Sequence, residues 1–209
     1  MNHNLNGVED GICKMINAEL DHVTTLEEFY SEIRRQQEEA HGGDYCEQHD
    51  FMKEVLSDPN CNSYKELGTH QGGTAACAML CYPKSVELID KDQIKYNKWL
   101  KPIAEQFCKE NDIELIVKEE DSASPRSLDK SCDVLLIDSY HKAYHMKQEL
   151  TLHGPRTKKY IIAHDTYRSM GKVNQELHEC LLYWAKINNW KEVKRSKNNV
   201  GYTVIGKNV

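Results

Sequence analysis

The stretch 64–92, YKELGTHQGGTAACAMLCYPKSVELIDKD, holds the pattern that decides the fold. A short apolar run ends at Leu67, a glycine-rich turn follows, and a second apolar run ends on Asp90. Glycine allows a sharp turn and lets the next helix begin close to the sheet and to a ligand. An acid at the end of the next strand, roughly 20 residues after the first glycine, can accept hydrogen bonds from a ribose diol. The stretch therefore predicts strand, turn, helix and strand around a nucleotide-like ligand.

The chain from residue 63 onward continues this alternation of strands and helices. We expect strands at 63–67, 85–89, 114–118, 134–137 and 159–163, and helices at 72–82, 91–111, 140–152 and 172–189. Two further strands, 191–195 and 201–205, flank a polar turn and predict an antiparallel hairpin. The predicted fold is α/β, a doubly wound, mostly parallel Rossmann-like sheet of about seven strands closed by that hairpin.

Residues 1–60 are helical in character and contain no strand-like run. The segment TTLEEFYSEIRRQQEEA offers a threonine cap, early acids and later arginines, which is typical of an amphipathic helix. A glycine turn and a second helix follow, ending before Pro59. We therefore divide the chain into an N-terminal helical cap, 1–60, and an α/β domain, 61–209.

The composition narrows the class of partner. The net charge is −6, so no overall positive field favours nucleic acid or an anionic membrane, and we expect a small-molecule substrate. Eight scattered cysteines form no CxxC pair, and no apolar run is long enough for a membrane span. These features predict reduced thiols and a cytoplasmic protein without a membrane partner, and they leave room for a homo-oligomer.

The glycine turn argues against a dinucleotide. It lacks the GxGxxG spacing that brings a pyrophosphate to a helix N-terminus. The negative charge of Glu66 would also be repelled by two phosphates. A cofactor that carries a ribose and a positive charge, but no phosphate, fits the turn and Asp90 better.

Four segments taken together, ELGTHQGG, VELIDKD, DVLLIDSYHKAYHMKQEL and YIIAHDT, resemble the motifs of a known enzyme class. They are similar to those of class I S-adenosylmethionine (SAM)-dependent methyltransferases, particularly the small-molecule and sugar O-methyltransferases related to cephalosporin-hydroxylase-type proteins. The resemblance covers roughly residues 60–205 in the expected order, and the N-terminal 60 residues do not carry it.

The resemblance implies a set of cofactor contacts. The methionine part of SAM would be surrounded by Glu66, Gly68, Thr69 and Gly72, with Glu66 facing its ammonium group. Asp90 would bind the ribose hydroxyls. In the loop after the third strand, Asp121 would accept from the adenine amine and Ser122 would offer a second hydrogen bond, although a plain polar loop has the same composition.

Two strand-end acids suggest a clamp above the reacting methyl group. Asp138 follows the fourth strand and Asp165 follows the fifth, so parallel strands bring both to one edge of the sheet. Two carboxylates can hold Mg²⁺ and a substrate hydroxyl. The resembled enzymes usually add a third acid or an asparagine, whereas here His164 and Thr166 flank Asp165. The alternative is therefore metal-free, with Asp138 binding the cofactor's amino group and Asp165 capping a helix.

Histidines supply the candidate base for a hydroxyl proton. His141 occupies the IDxxHxY position of the resembled enzymes and is the first choice, while His145 and His164 are the other candidates. The segment HGGDYCEQHD, 41–50, is rich in potential metal ligands but matches no zinc spacing. We expect this segment, with Tyr45 and His49, to fold over the mouth of the site.

The expected activity is methylation of an oxygen on a small hydroxylated acceptor, such as a sugar, a catechol-like compound or a natural product. Two alternatives stay open. A nucleic-acid methyltransferase would use the same cofactor, but the chain lacks a basic aromatic strip and an Asn/Asp-Pro-Pro-Tyr-like motif. A non-catalytic binding or assembly protein could retain the same fold.

Overall fold

Two helices precede the first strand in the computed structural model, which describes residue 20 and residues 22–42, 46–127, 130–169 and 172–207. Helix α1 spans Leu26–His41 and helix α2 spans Glu47–Leu56. A capping box starts α1, because the Thr25 hydroxyl accepts the Glu28 N–H and the Glu28 carboxylate accepts the Thr25 N–H, both at 3.2 Å. Both helices predicted for the cap are confirmed.

Seven strands form the main sheet. They are β1 (Ser63–Leu67), β2 (Ser85–Asp90), β3 (Glu114–Glu119), β4 (Cys132–Ile137), β5 (Thr157–His164), β8 (Trp190–Ser196) and β9 (Tyr202–Lys207). The order is β3-β2-β1-β4-β5-β9-β8. Strands β1 to β5 run parallel, and β9 is antiparallel to both β5 and β8. The predicted doubly wound sheet with its C-terminal hairpin is confirmed.

The crossover helices are shorter than the sequence predicts. They are α3 (Gly73–Met79), α4 (Ile94–Trp99), α5 (Lys101–Glu110), α6 (Ala143–His153) and α7 (Glu176–Ile187). The single helix predicted at 91–111 is interrupted at Leu100. Pro102 explains the break, since proline has no N–H to donate and fits only the first turn of a helix.

The helix predicted at 172–189 begins four residues late. Two short strands, β6 (Arg168–Ser169) and β7 (Lys172–Val173), pair antiparallel before it. Helix α7 then starts where the Asn174 side chain accepts the N–H of Glu176 at 2.9 Å. Asparagine favours such local turns, so it marks the true start of the helix.

Apolar residues on the two faces of the sheet form two core clusters. One face, with Tyr64, Leu88 and Leu136, packs against α1 to α5, and the other, with Leu67 and Ile137, packs against α6 and α7. Helices α1 and α2 share the first cluster with the strands, so the cap is part of the same hydrophobic core. The seven cysteines among the described residues are free thiols, and no described helix has the length and apolar character to cross a membrane.

Strand register sets the position of the site. Leu67 is paired with Ile89 and with Ile137, and Ile137 is paired with Ala163. The residues that follow these positions therefore emerge together at the carboxyl edge of the sheet, where α/β folds bind their ligands.

Candidate active site

A cleft of about 640 Å³ opens at the carboxyl edge of the sheet. Twelve residues that the sequence singled out line it, whereas Glu66 does not. They are His49, Gly68, Thr69, Gly72, Asp90, Asp121, Ser122, Asp138, His141, His145, His164 and Asp165. The fold therefore brings the predicted cofactor, clamp and base positions into one cavity.

The glycine turn has no room for side chains at two positions. Gly68 has φ +92°, and a Cβ there would lie 2.2 Å from the carbonyl oxygen of Asp138. Gly72 has φ +87°, and a Cβ there would lie 2.3 Å from Leu100 Cδ2. Left-handed backbone and close contact both require glycine, so β1 can approach the β4 loop and α3 can begin beside the cleft.

Glu66 lies beneath the turn rather than on the cleft wall. Its carboxyl is fully buried, and it accepts hydrogen bonds from the hydroxyls of Tyr64 and Thr74 at 2.5 and 2.8 Å. Burial raises its pKa to about 8. Side chains alternate along a strand, so Glu66 shares the face of Tyr64 and points toward α3. The contact with an ammonium group that the sequence predicts stays a prediction, and this geometry does not supply it directly.

Asp90 ends β2 with its carboxylate held beside the cleft. One oxygen accepts the backbone N–H of His70 at 2.9 Å, and the other accepts that of Asp92 at 3.1 Å. His70 Nε2 in turn lies 2.6 Å from Lys95 Nζ. Each carboxylate oxygen can accept more than one bond, so Asp90 is oriented by the loops and still able to bind a diol.

The loop after β3 presents Asp121 and Ser122 differently. Asp121 is exposed, and its carboxylate accepts the N–H of Ala123 at 2.9 Å. Ser122 is buried, and its hydroxyl donates to Glu149 at 2.5 Å. The Ser122 proton is therefore already used within the protein, so its hydroxyl can offer a ligand only a lone pair.

Glu149 is a residue that sequence reasoning missed. It is fully buried on α6 and accepts hydrogen bonds from Ser122 and Ser139, with His145 Nε2 at 3.4 Å. This carboxylate joins the loops after β3 and β4, whose residues Ser122 and Ser139 line the cleft. The available signal was an acid placed between Met146 and Leu150 on the buried face of a predicted helix.

A cluster of two acids and two histidines occupies the other half of the cleft. Asp138 Oδ1 lies 3.2 Å from His141 Nε2 and 3.2 Å from His164 Nδ1. The second nitrogen of His141, Nδ1, lies 2.8 Å from Asp165 Oδ2. His141 thus bridges the carboxylates of Asp138 and Asp165, which directly follow β4 and β5.

The charges in this cluster are mutually stabilised. Burial by itself opposes every charge here, but hydrogen bonds to Asp138 and Asp165 raise the pKa of His141 to about 10. The two carboxylates raise the pKa of His164 to about 9, again against the effect of burial. The same contacts lower the pKa of Asp138 although its burial acts in the opposite direction. His141 is therefore an imidazolium at neutral pH and must lose a proton before it can act as a base.

The acid cluster is also the candidate metal site. Asp138, His141 and Asp165 each offer one ligand atom, all within 4.8 Å of one another, and no other such group occurs among the described residues. The segment 41–50 does not converge in this way. Cys46 Sγ donates to Gln37, Asp50 pairs with Arg34, and Asp44 and Tyr45 lie outside the described residues.

Solved structures similar to this chain include several methyltransferases. The magnesium protoporphyrin IX methyltransferase ChlM from Synechocystis PCC 6803, with bound S-adenosylhomocysteine (SAH), has a TM-score of 0.64 and 9% identity. That match covers 97% of this chain and 95% of ChlM. An O-methyltransferase from Bacillus cereus in complex with SAH has a TM-score of 0.56 and 11% identity, with 95% and 97% covered.

The similar structures differ in the atom that they methylate. The N-methyltransferase NodS from Bradyrhizobium japonicum WM9 has a TM-score of 0.56 and 9% identity, covering 77% of this chain and 94% of NodS. No protein-family model matches the chain, and no curated protein matches it in sequence. At these identities the comparisons establish architecture, and the chain has the class I SAM-dependent methyltransferase fold.

Proposed function

We propose that this chain is a SAM-dependent methyltransferase that methylates an oxygen of a small hydroxylated acceptor. The observation that carries the proposal is the joining, in one cleft, of the glycine turn and Asp90 with the cluster of Asp138, His141 and Asp165. The first half is suited to a ribose-bearing cofactor and the second to an acceptor hydroxyl.

The cofactor half fits SAM on two observations. Asp90 is oriented for a diol by two backbone N–H groups. The hydroxyl of Thr69, which is buried beside the glycine turn and lines the cleft, has no hydrogen-bond partner among the described residues. A buried hydroxyl without a partner is costly, so a polar ligand at the turn would satisfy it. When bound, SAM would supply a methyl group on a sulfonium that an oxygen nucleophile can attack in line.

The acceptor half acts mainly by position. Carboxylate oxygens of Asp138 and Asp165 can accept the hydrogen bond of a hydroxyl and hold its oxygen in one orientation, which supplies much of the advantage in a two-reactant step. His141 and His164 balance their negative charge. His141 remains our proposed base, provided that its own proton leaves first.

The two carboxylates of the cluster are the type of ligand that a divalent cation takes. Asp138 and Asp165 would be its ligands, and His141 could add a nitrogen ligand only after it loses its proton. Mg²⁺ prefers oxygen, and two carboxylates leave positions for an acceptor hydroxyl, whose pKa the ion would lower. The cluster is also complete without an ion, because the imidazoles pair both acids, so the metal-free alternative stays open.

The test is methyl transfer from radiolabelled SAM to two hydroxylated probes, catechol and methyl α-D-glucopyranoside, with Mg²⁺ added or chelated. We expect transfer to oxygen, and we expect His141→Ala to lower turnover while SAH affinity stays unchanged. His145→Ala tests the second candidate base in the same assay. SAH binding without transfer to either probe would favour the non-catalytic alternative, and unchanged turnover in His141→Ala would remove His141 from the mechanism.

A further inference from the structure

The N-terminal helices form one wall of the cleft. Four polar residues line it, Gln37 and His41 from α1 and Gln48 and His49 from α2. This wall comes from the part of the chain that carries no resemblance to methyltransferase motifs. Its contacts with a ligand therefore cannot be inferred from the motif resemblance and must be argued from the structure.

Helix α2 is fixed at its start and along its length. The Glu47 carboxylate accepts hydrogen bonds from Ser196 at 2.6 Å and Asn198 at 3.2 Å, which ties the first turn to the β8–β9 hairpin. Further along, Cys77 Sγ on α3 contacts the carbonyl oxygen of His49 at 3.7 Å. Helix α2 is thus held by both the β8–β9 hairpin and helix α3.

His49 is the unusual residue of this wall. It lines the cleft but is only 1% exposed, and its ring lies 5.7 Å from the ring of Tyr30. Nδ1 is buried and has no hydrogen-bond partner within the described part of the chain. A buried nitrogen without a partner has lost its hydrogen bond to water without gaining another, so a polar group that reaches the ring would bind favourably.

The ring of His49 differs chemically from the histidines of the acid cluster. Burial, together with the charges of Arg34 and His164, lowers its pKa to about 3. A neutral imidazole has one N–H and one lone pair, and can donate to or accept from a hydroxyl. His141, by contrast, has both nitrogens against carboxylates. The wall and the acids Asp138 and Asp165 line the same cleft.

We propose that His49 binds the acceptor directly, with its uncharged ring hydrogen-bonded to a hydroxyl of the acceptor above the Asp138–His141–Asp165 cluster. This proposal rests on the proposed function, since it names the acceptor half of the same cleft. It gives the cap a direct part in binding the acceptor.

His153 offers a matched control within the same chain. It is also 1% exposed, its Nδ1 is likewise buried without a partner among the described residues, and burial lowers its pKa. It does not line the cleft, and its Nε2 is held 2.9 Å from the carbonyl oxygen of Ser122. A difference in reactivity between His49 and His153 would therefore report access from the cleft, because the two residues are equally buried.

The first arm of the test is acylation of the full-length protein by diethyl pyrocarbonate at mildly acidic pH, followed by peptide mass spectrometry. We expect His49 to react about tenfold faster than His153, because the reagent attacks neutral imidazoles that it can reach. Saturating SAH should protect His70, beside Asp90, and leave His49 reactive. Equal rates for His49 and His153, or protection of His49 by SAH as strong as that of His70, would overturn the proposal.

The second arm is activity toward catechol and methyl α-D-glucopyranoside. His49→Phe keeps a ring against Tyr30 but removes both hydrogen-bonding groups, and should lower kcat/KM about 10- to 100-fold with unchanged SAH affinity. His49→Gln should retain most of the activity. Unchanged kcat/KM in a folded His49→Phe protein would overturn the proposal. If the parent protein methylates neither probe, that result counts against the proposed function, and the acylation rates alone decide the position of His49.

Discussion

Glu66 makes the stability of this chain depend on pH. Its carboxyl lies fully buried beneath the glycine turn, where burial raises the pKa from 4.5 to about 8. The folded chain therefore keeps the Glu66 proton at neutral pH, whereas the unfolded chain releases it. Between these two pKa values the folded state binds more protons, so the free energy of unfolding falls as pH rises.

The size of the effect follows from the two pKa values. Each pKa unit is worth about 1.4 kcal/mol, so the change from 4.5 to about 8 amounts to about 5 kcal/mol across this pH range. This change is large beside the roughly 5–15 kcal/mol that stabilises an ordinary domain. Ionising Glu66 at alkaline pH should loosen the turn that carries Thr69 and the start of α3.

The assay is urea denaturation of the parent and of Glu66→Gln, from mildly acidic to mildly alkaline pH. Glutamine is similar in shape and cannot ionise, so the variant should gain stability relative to the parent as pH rises, by several kcal/mol in total. Glu105→Gln, at an exposed glutamate of α5, is the control and should show no such trend. Parallel stability curves for Glu66→Gln and the parent would refute the reasoning.

Three further changes test other parts of the site. Gly68→Ala should abolish the SAH binding that calorimetry measures and should lower the melting temperature. Residue 68 has a left-handed φ, and the added Cβ would lie 2.2 Å from the Asp138 carbonyl oxygen. Glu149→Gln should weaken SAH binding about tenfold, because it disturbs the hydrogen bond that holds the Ser122 loop. Unchanged affinity would leave Glu149 a purely structural acid. If the acid cluster binds Mg²⁺, added Mg²⁺ should raise the melting temperature of the parent but not of Asp165→Asn, and equal shifts would place the ion elsewhere.

The central strands were predictable because β2 and β4 are buried on both faces. VLLI is a continuous apolar run and VELI is interrupted only by Glu87, and the structure places β4 and β2 there with small changes at the ends. Helix boundaries were less predictable. The break at Leu100 depends on Pro102, and the short β6–β7 pair has too few residues to show a period.

The site was predictable wherever a residue directly follows a strand. Gly68, Asp90 and Asp138 lie at the sheet edge because strand register puts them there. The partners of these residues were not predictable, because they come from distant segments. Glu149 contacts Ser122 from helix α6, 27 residues further along the chain. His49 belongs to helix α2, and no local sequence pattern encodes the angle at which that helix packs. The pairing of both His141 nitrogens likewise depends on three-dimensional contacts.

The measurement that tests the central claim most directly is calorimetric titration of the purified protein with SAH, compared with Asp90→Asn. The account predicts saturable binding of one SAH per chain, weakened about 10- to 100-fold in Asp90→Asn, because a charged hydrogen-bond acceptor for a diol is lost. Asp92→Asn, whose side chain caps only the start of α4, should bind like the parent. Absence of SAH binding, or equal binding by Asp90→Asn and the parent, would contradict the assignment of this cleft to SAM.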